Sequence, residues 1–525
     1  MNEDIVADLL IIGCGAAGCS CALEAAKRGL QVIVITNAAD PSESNSDYAQ
    51  GGIVARPPDD TAESLRADII AAGDGLCNEE AVRLLVEKVP EIVEGFLIGE
   101  LGVEFSRTAA GTLDFTQEAA HSRRRIVHAD DATGHAISQK LLEAVQRQNS
   151  VRLLSKHSAV DLITVPHHSV DPTTIYGGIE CLGAYVLDQV AGKVGRFFAG
   201  HSVLATGGLG QLYLHTTNPR VARGDGLAMA FRAGADIINA EYVQFHPTAF
   251  YHRDADRFLI SESVRGEGAV LRTRDGRDFM KDYHPDGSLA PRDVVARAIH
   301  EEMLKRGEEY VVLDLEPLSV DAKIRFPTIY ETCLRYGVDI TKQPIPVVPA
   351  AHYFCGGVKV DTWGRTNIRR LHAAGEVSCT GVHGANRLAS TSLLEAILWG
   401  RRAAEHCAAR PPSPAPEPRT PDPASVAQWH DEGLTEAIDP LLVIQDWMMI
   451  KSTMWNYAGI VRTSKRLDRA AADLGYLAHR IEQFYRETKL AEPLIGLRNG
   501  ICAAQIIADA ARRNNHSRGC HYRVD

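Results

Sequence analysis

No stretch of this sequence approaches the ~20 consecutive apolar residues that a membrane-spanning helix needs. The apolar run Leu9–Ile12 is short and followed by glycines, which predicts a buried strand rather than a signal peptide. No CxxC pair occurs among the eleven cysteines, of which Cys19 and Cys21 are the nearest two. That excludes the usual ligand spacings of zinc and iron–sulfur sites and points to reduced, mostly buried thiols in a cytoplasmic setting. Positive charge is also wanting: the formal charge is −11, whereas a nucleic-acid binder needs a basic surface. The balance reverses only from Lys451 onward, where thirteen Lys/Arg face seven Asp/Glu. A solvated helical face and a docking surface are the two readings of that excess. No tandem repeat is present. Apolar content of 45% and charged content of 23% are those of an ordinary globular protein, and 525 residues exceed one compact core, so two or three domains are expected.

Residues 7–36 read as strand, tight turn, helix, strand. Ala7–Ile12 is apolar, Gly13-Cys14-Gly15-Ala16-Ala17-Gly18 is the turn, Cys21 to Lys27 continues a helix of small residues, and Gln31–Ile35 is β-branched. This opens a doubly wound α/β domain. A pyrophosphate needs backbone N–H groups at a helix N-terminus with no side chain in the way. Gly13 permits the tight turn, Gly15 the close approach and Gly18 the helix–strand contact. GxGxxG alone is weak, but the flanking strand and helix make it a dinucleotide site. An acidic residue is expected after the second strand for the ribose, yet Thr36-Asn37 stand there. Two further strands run into glycine turns, at Ser202–Gly208 and at Leu371–Glu376. Together they predict one discontinuous nucleotide domain, 1–240 with 349–407, interrupted by an insertion at 241–348. The insertion holds the charged turn Arg274-Asp275-Gly276-Arg277 and a helical pattern around Val294–Leu304. Seven prolines between Pro411 and Pro423 mark 408–423 as an extended linker. Beyond it, Ile444, Trp447, Lys451 and Trp455, then Leu494, Leu497, Ile501, Ala504 and Ala508, follow helical spacing and predict a helical domain over 424–525.

Several motifs then occur in one order: Tyr48-Ala49-Gln50-Gly51-Gly52, Ala205-Thr206-Gly207-Gly208, Gly224-Asp225-Gly226, Gln244-Phe245-His246-Pro247-Thr248, Arg265-Gly266-Glu267-Gly268, Ala290-Pro291-Arg292-Asp293, His352-Tyr353 and Gly375-Glu376. They resemble the flavoprotein family of succinate dehydrogenase, fumarate reductase and L-aspartate oxidase over nearly the whole chain. The resemblance implies a Rossmann-like FAD-binding domain with an inserted α+β capping domain and a C-terminal helical domain. Three features resemble the aspartate-oxidising branch. Respiratory members carry the flavin on a His just before the Ala-x-Gly-Gly segment, whereas Ser44-Asn45-Ser46-Asp47-Tyr48 has none, implying non-covalent FAD. Glu118, in Thr116–Ser122, stands where respiratory members tend to have an aromatic. Gly384–Glu395 and Ser517–Tyr522 also match that branch. Ser261 replaces a usual Thr, and Ala119-Ala120 replace a usual Gly pair.

The resemblance assigns roles as expectations. Arg387, His246, His352, Ser261, Gln244 and Ser390 bind a four-carbon dicarboxylate, and Glu118 faces its amino group. Two buried negative charges demand paired cations and hydrogen bonds, and an arginine fork suits a carboxylate. Arg292 matches a proton-handling arginine, with Glu262 and Arg265 as its relay; at three residues apart on a helix these two are also a plain ion pair. FAD contacts are expected from Gly13, Gly15, Ala16, Ala17, Gly18, Ala49, Gln50, Gly51, Gly52, Ala205, Thr206, Gly207, Gly208, Asp225, Glu376, Ser392 and Leu393, with Ala159-Val160 near the adenine. The implied reaction oxidises L-aspartate to iminoaspartate by hydride loss from Cα. Electrons go to oxygen, giving hydrogen peroxide, or to fumarate, at the start of NAD synthesis, with quinolinate synthase consuming the imine and no iron–sulfur subunit. The alternatives are a fumarate reductase or succinate dehydrogenase flavoprotein, and a non-catalytic binding protein on the same scaffold, which would hold no flavin.

Overall fold

The apolar runs of the opening segment pair in parallel, Leu9 opposite Val32 and Ile12 opposite Ile35. In the computed structural model, which describes residues 4–118, 120–255, 258–409, 423–435 and 438–525, they lie at the centre of a seven-stranded sheet. Val151–Leu154 extends it beyond Val32–Ile35. On the other side Lys193–Leu204 runs parallel to Ile5–Ile12, Leu204 opposite Ile12, and Leu371–Ala373 joins the same strand. Glu180–Asp188 and His157–Val165 complete the sheet as antiparallel strands. Leu9, Leu10, Ile11 and Val32–Ile35 are all buried, as expected of strands covered on both faces.

The helix after the turn spans Ala16–Lys27 and packs on the Ser392–Ala408 helix. Small residues allow this: a Cβ on Gly400 would lie 2.3 Å from the Ala17 carbonyl oxygen. The turn's glycines are dictated in the same way. Gly13 has φ +108, and a Cβ there would lie 2.2 Å from the Ala205 carbonyl oxygen.

A four-stranded antiparallel sheet comprises Val243–Phe250, Ile345–Phe354, Val311–Asp314 and Val270–Arg272. A separate apolar cluster from Phe250 to Val347 fills this part of the chain. The expected boundary at 348/349 falls inside the Ile345–Phe354 strand, which pairs with both Val243–Phe250 and Val311–Asp314. Arg274–Gly276 form a turn, and the helical pattern there belongs to Arg292–Arg306.

Three helices, Pro440–Tyr457, Ser464–Glu487 and Glu492–Arg513, form the C-terminal region. Leu497, Ile501, Ala504 and Ala508 join the same apolar cluster as the main sheet, so the helical region shares that core. In the first helix Trp447 and Trp455 pack against that core. Val443, Asp446, Ile450 and Met454 are buried, while Ile444 is 59% exposed. Leu441 to Ile444 are all apolar, and spacing alone does not choose between neighbouring faces. Most of the expected linker, 410–422, lies outside the described residues, as does Ala119.

Candidate active site

Strand irregularity prepares the site. Pairing between Val243–Phe250 and Ile345–Phe354 shifts at Gln244/Phe245 and again between His246 and Ala249. Pro247 cannot donate to a ladder, and bulges are where a strand proline is tolerated and side chains are re-aimed. Ser261 then caps the Glu262–Gly266 turn of helix through its hydroxyl, and Arg292 opens the Arg292–Arg306 helix after Pro291.

These elements converge on one cavity with about 1710 Å³ of space between atoms, part of it open to solvent. Glu118, His246, Ser261, Glu262, Arg292, His352, Arg387 and Ser390 line it. Gln244 and Arg265 do not. Gln244 stands behind Arg387, accepting from Arg387 Nη2 at 3.1 Å and donating to the Arg387 carbonyl at 2.9 Å and to Asn386 Oδ1 at 2.6 Å. Arg265 Nη2 donates to Glu262 Oε1 at 3.2 Å, and Arg292 Nε donates to Glu262 Oε2. Glu262 thus bridges two guanidiniums. Burial works to raise its carboxyl, yet Arg292 and Arg265 hold it below the ordinary range.

The cations keep donors open. Arg387 stacks 4.6 Å over the Tyr353 ring, hydrogen-bonds Gln244 and Ser392, and has a buried Nε without a partner. Arg292 Nη1 is likewise buried and unpartnered. Burial, then the field of Arg292, depresses Arg387. Leaving such donors unmatched costs ~1–3 kcal/mol each, so the cavity is built for an anion. His246 and His352 are held neutral, their pKa values pushed well down by burial and then by the neighbouring arginines. His246 Nδ1 lies 3.2 Å from both the N–H and the carbonyl oxygen of Thr248, so the Thr248 backbone fixes the orientation of the ring. Thr217 Oγ1 holds His352 Nδ1 at 2.8 Å. Glu118 is pushed up by burial, against the pull of Arg292, and accepts from Ser390 Oγ at 2.7 Å. Gly51 leaves room for it: a Cβ there would sit 2.3 Å from Glu118 Oε1.

The other half of the cavity is lined by Gly13, Gly15, Ala16, Ala17, Ala49, Gln50, Gly51, Gly52, Ala159, Ala205, Thr206, Gly207, Gly208, Asp225, Glu376, Ser392 and Leu393. Gly18 and Val160 do not line it. Gly18 packs against Gly13, where a Cβ would lie 2.0 Å from the carbonyl oxygen, and Val160 is buried in a separate apolar cluster. The residues present fit FAD. Two helix N-termini, at Ala16 and Ser392, open beside the glycine turn, which suits a pyrophosphate. Buried Gln50 Oε1, Asn45 Oδ1 and Thr206 Oγ1 have no partner. Asn45, in the His-free Ser44–Tyr48 stretch, donates to Glu376 Oε2 at 2.6 Å, and burial raises the Glu376 carboxyl to about 7.

Sequence reasoning missed the supports. Thr217 and Asn218 fix His352. The His383–Glu395 pair, 2.8 Å apart, holds Tyr353 under Arg387 through its hydroxyl. Arg223 lines the cavity and pairs with Asp225 and Glu492. Cys520 donates to Asn386 Oδ1 at 3.1 Å, bringing the matched terminal motif beside Gln244. No local spacing announces these contacts.

A flavoprotein oxidoreductase is the class that this fold and cavity define. The FAD binding domain family matches residues 8–393, and the fumarate reductase flavoprotein C-terminal family matches 448–525. A quinol fumarate reductase of E. coli superposes with a TM-score of 0.85 at 27% identity, covering 100% of this chain and 92% of that one. The L-aspartate oxidase of Pseudomonas aeruginosa is 44% identical over 100% of this chain and 96% of its own length. That of Halobacterium salinarum is also 44% identical, over 100% and 98%. The chain belongs to the L-aspartate oxidase family, within the flavoproteins of fumarate reductase type.

Proposed function

We infer that this cavity is where the chain oxidises L-aspartate to iminoaspartate, with electrons passing to oxygen, giving hydrogen peroxide, or to fumarate, at the first step of NAD synthesis. FAD supplies the two-electron acceptor; the remaining work belongs to the chain's own residues. The observation that carries the assignment of residues is that Arg292 and Arg387 are both buried with open donors on one cavity that Glu118 also lines.

Arg387 takes one carboxylate in its fork, fixed by Gln244 and the Tyr353 ring. His246, His352, Ser261 and Arg292 take the other. Glu118 receives the ammonium group. Arg265, Arg292 and Arg387 set against Glu262 and an ionised Glu118 leave one positive charge, which L-aspartate cancels. A dianion such as fumarate or succinate overshoots unless Glu118 takes up a proton, and the raised pKa of that carboxyl makes this accessible at modest cost. One site can therefore hold the amino acid and, in another protonation state, fumarate. Substrate choice arises because a buried carboxylate without its amine is penalised. Arg292 orients the dianion, and the Glu262–Arg265 pair behind it is the route by which a proton reaches or leaves that guanidinium.

Non-covalent FAD is held on the glycine turn at 13–17, the 49–52 segment, Ala205–Gly208, Asp225, Glu376, Ser392 and Leu393, with Ala159 at the adenine end. We assign 1–240 with 349–407 to the FAD-binding unit, 241–348 to a cap over the substrate, and 424–525 to the helical unit. No helix among the described residues is long and apolar enough to cross a membrane, and we place the enzyme in the cytoplasm, handing its unstable imine to quinolinate synthase. Arg292→Leu tests the site: turnover should vanish while FAD stays bound, and full retained activity would remove Arg292 from the machinery.

A further inference from the structure

We propose that His201, His372 and Cys407 form a binding site for one thiophilic transition-metal ion, zinc foremost, outside the large cavity. One ligand atom from each residue lies within 4.8 Å of the others. Cys407 Sγ is 3.8 Å from His372 Nδ1 and 3.9 Å from its Nε2, and the His201 and His372 ring centroids are 5.4 Å apart. Tetrahedral zinc with ordinary bond lengths separates two nitrogens by ~3.3 Å and a nitrogen from a sulfur by ~3.6 Å, so small side-chain rotations close the site. None of the three lines the substrate and FAD cavity.

His201 Nδ1 is buried without a hydrogen-bond partner, a cost that a metal bond would remove. His201 lies on the Lys193–Leu204 strand and His372 on its parallel neighbour, opposite Val203, so the sheet fixes both. Cys407 occupies the last turn of the Ser392–Ala408 helix, where the helix dipole favours a cation. Burial holds His201 down to about 4 and His372 well below its ordinary value, so both offer a lone pair at neutral pH. The nearby cations are already paired, Arg365 with Asp361 at 2.5 Å and Arg370 with Glu180 at 2.6 Å. His406 Nδ1 stands 3.0 Å from His372 Nε2; this hydrogen bond is what a metal would replace, and His406 is the adjacent source of a fourth ligand. The Cys407 thiol, raised by burial, gives up its proton on binding, so affinity climbs with pH. Thiolate and imidazole together select zinc over magnesium or calcium. Such an ion would pin the far end of a helix whose first residues, Ser392 and Leu393, line the cavity.

The test uses the full FAD-loaded protein stripped with a chelator. Zinc is titrated in competition with a chromogenic chelator, and cobalt(II) serves as a spectroscopic probe. One equivalent of zinc should bind, and cobalt should give tetrahedral d–d bands to the red of the flavin absorption. Cys407→Ser and His372→Ala should each weaken zinc by more than ~100-fold, with the flavin spectrum of Cys407→Ser and its L-aspartate turnover unchanged as the check on folding. Absence of stoichiometric zinc binding, or a site that survives both substitutions, would overturn the proposal.

Discussion

Replacing Glu118 by Gln separates amine recognition from dicarboxylate binding. The wild-type carboxylate would meet the substrate ammonium through a charge-assisted hydrogen bond, worth ~1.5–3 kcal/mol. Opposing this, burial already raises the carboxyl, so ionised Glu118 carries a desolvation cost that Gln escapes. The net loss should be ~2 kcal/mol, or ~30-fold in kcat/KM for L-aspartate. Gln keeps an acceptor for the Ser390 hydroxyl, 2.7 Å away, and needs no more room beside Gly51. It imitates the protonated acid that fumarate requires, so fumarate reduction should change by less than ~3-fold. Steady-state kinetics with each substrate as the variable one measures both. The sign in pH follows: activity toward L-aspartate should fall as pH drops through the raised pKa of Glu118, and the variant should lose that acid limb. Equal losses for L-aspartate and fumarate, or an unchanged pH profile, would refute the amine-recognition role.

Arg387→Lys should cost ~100-fold or more in kcat/KM for L-aspartate and for fumarate alike, because a point charge on a flexible stem reproduces neither the fork nor the stacking on Tyr353; FAD content, read from the visible spectrum, should not change. Glu376 makes the FAD-free protein sensitive to pH. Its folded value, about 7, lies above its ordinary 4.5, so the folded state binds more protons between those values and stability falls as pH rises through that window. Denaturant unfolding at pH 5 and pH 8 should show a difference that Glu376→Gln reduces by ~1–3 kcal/mol; no reduction would mean that the carboxyl is not so buried without the cofactor.

The dinucleotide turn was legible because backbone geometry dictates its residues: Gly13 and Gly18 face carbonyl oxygens that no Cβ could approach. Its flanking strands were legible as continuous apolar runs, Ile5–Ile12 and Val32–Ile35. The cavity was legible only through the ordered motifs, since residues 118, 246, 292, 352 and 387 line it from distant segments of the chain that no local spacing connects. The exposed side of Ile444 shows the limit of periodicity where four apolar residues run together. The cluster of His201, His372 and Cys407 was invisible for the same reason as the cavity, as its members lie on two strands and one distant helix. Search by CxxC spacing finds local metal loops and misses ligands assembled across a sheet.

In the proposed site guanidinium and imidazole groups hold a dicarboxylate against the flavin, with Glu118 choosing the amino acid. Anaerobic addition of L-aspartate to the yellow holoprotein tests it most directly. L-Aspartate should bleach the flavin stoichiometrically, while succinate and L-glutamate should bleach it far more slowly. A flavin that succinate reduces as readily as L-aspartate, or that L-aspartate leaves oxidised, would contradict it.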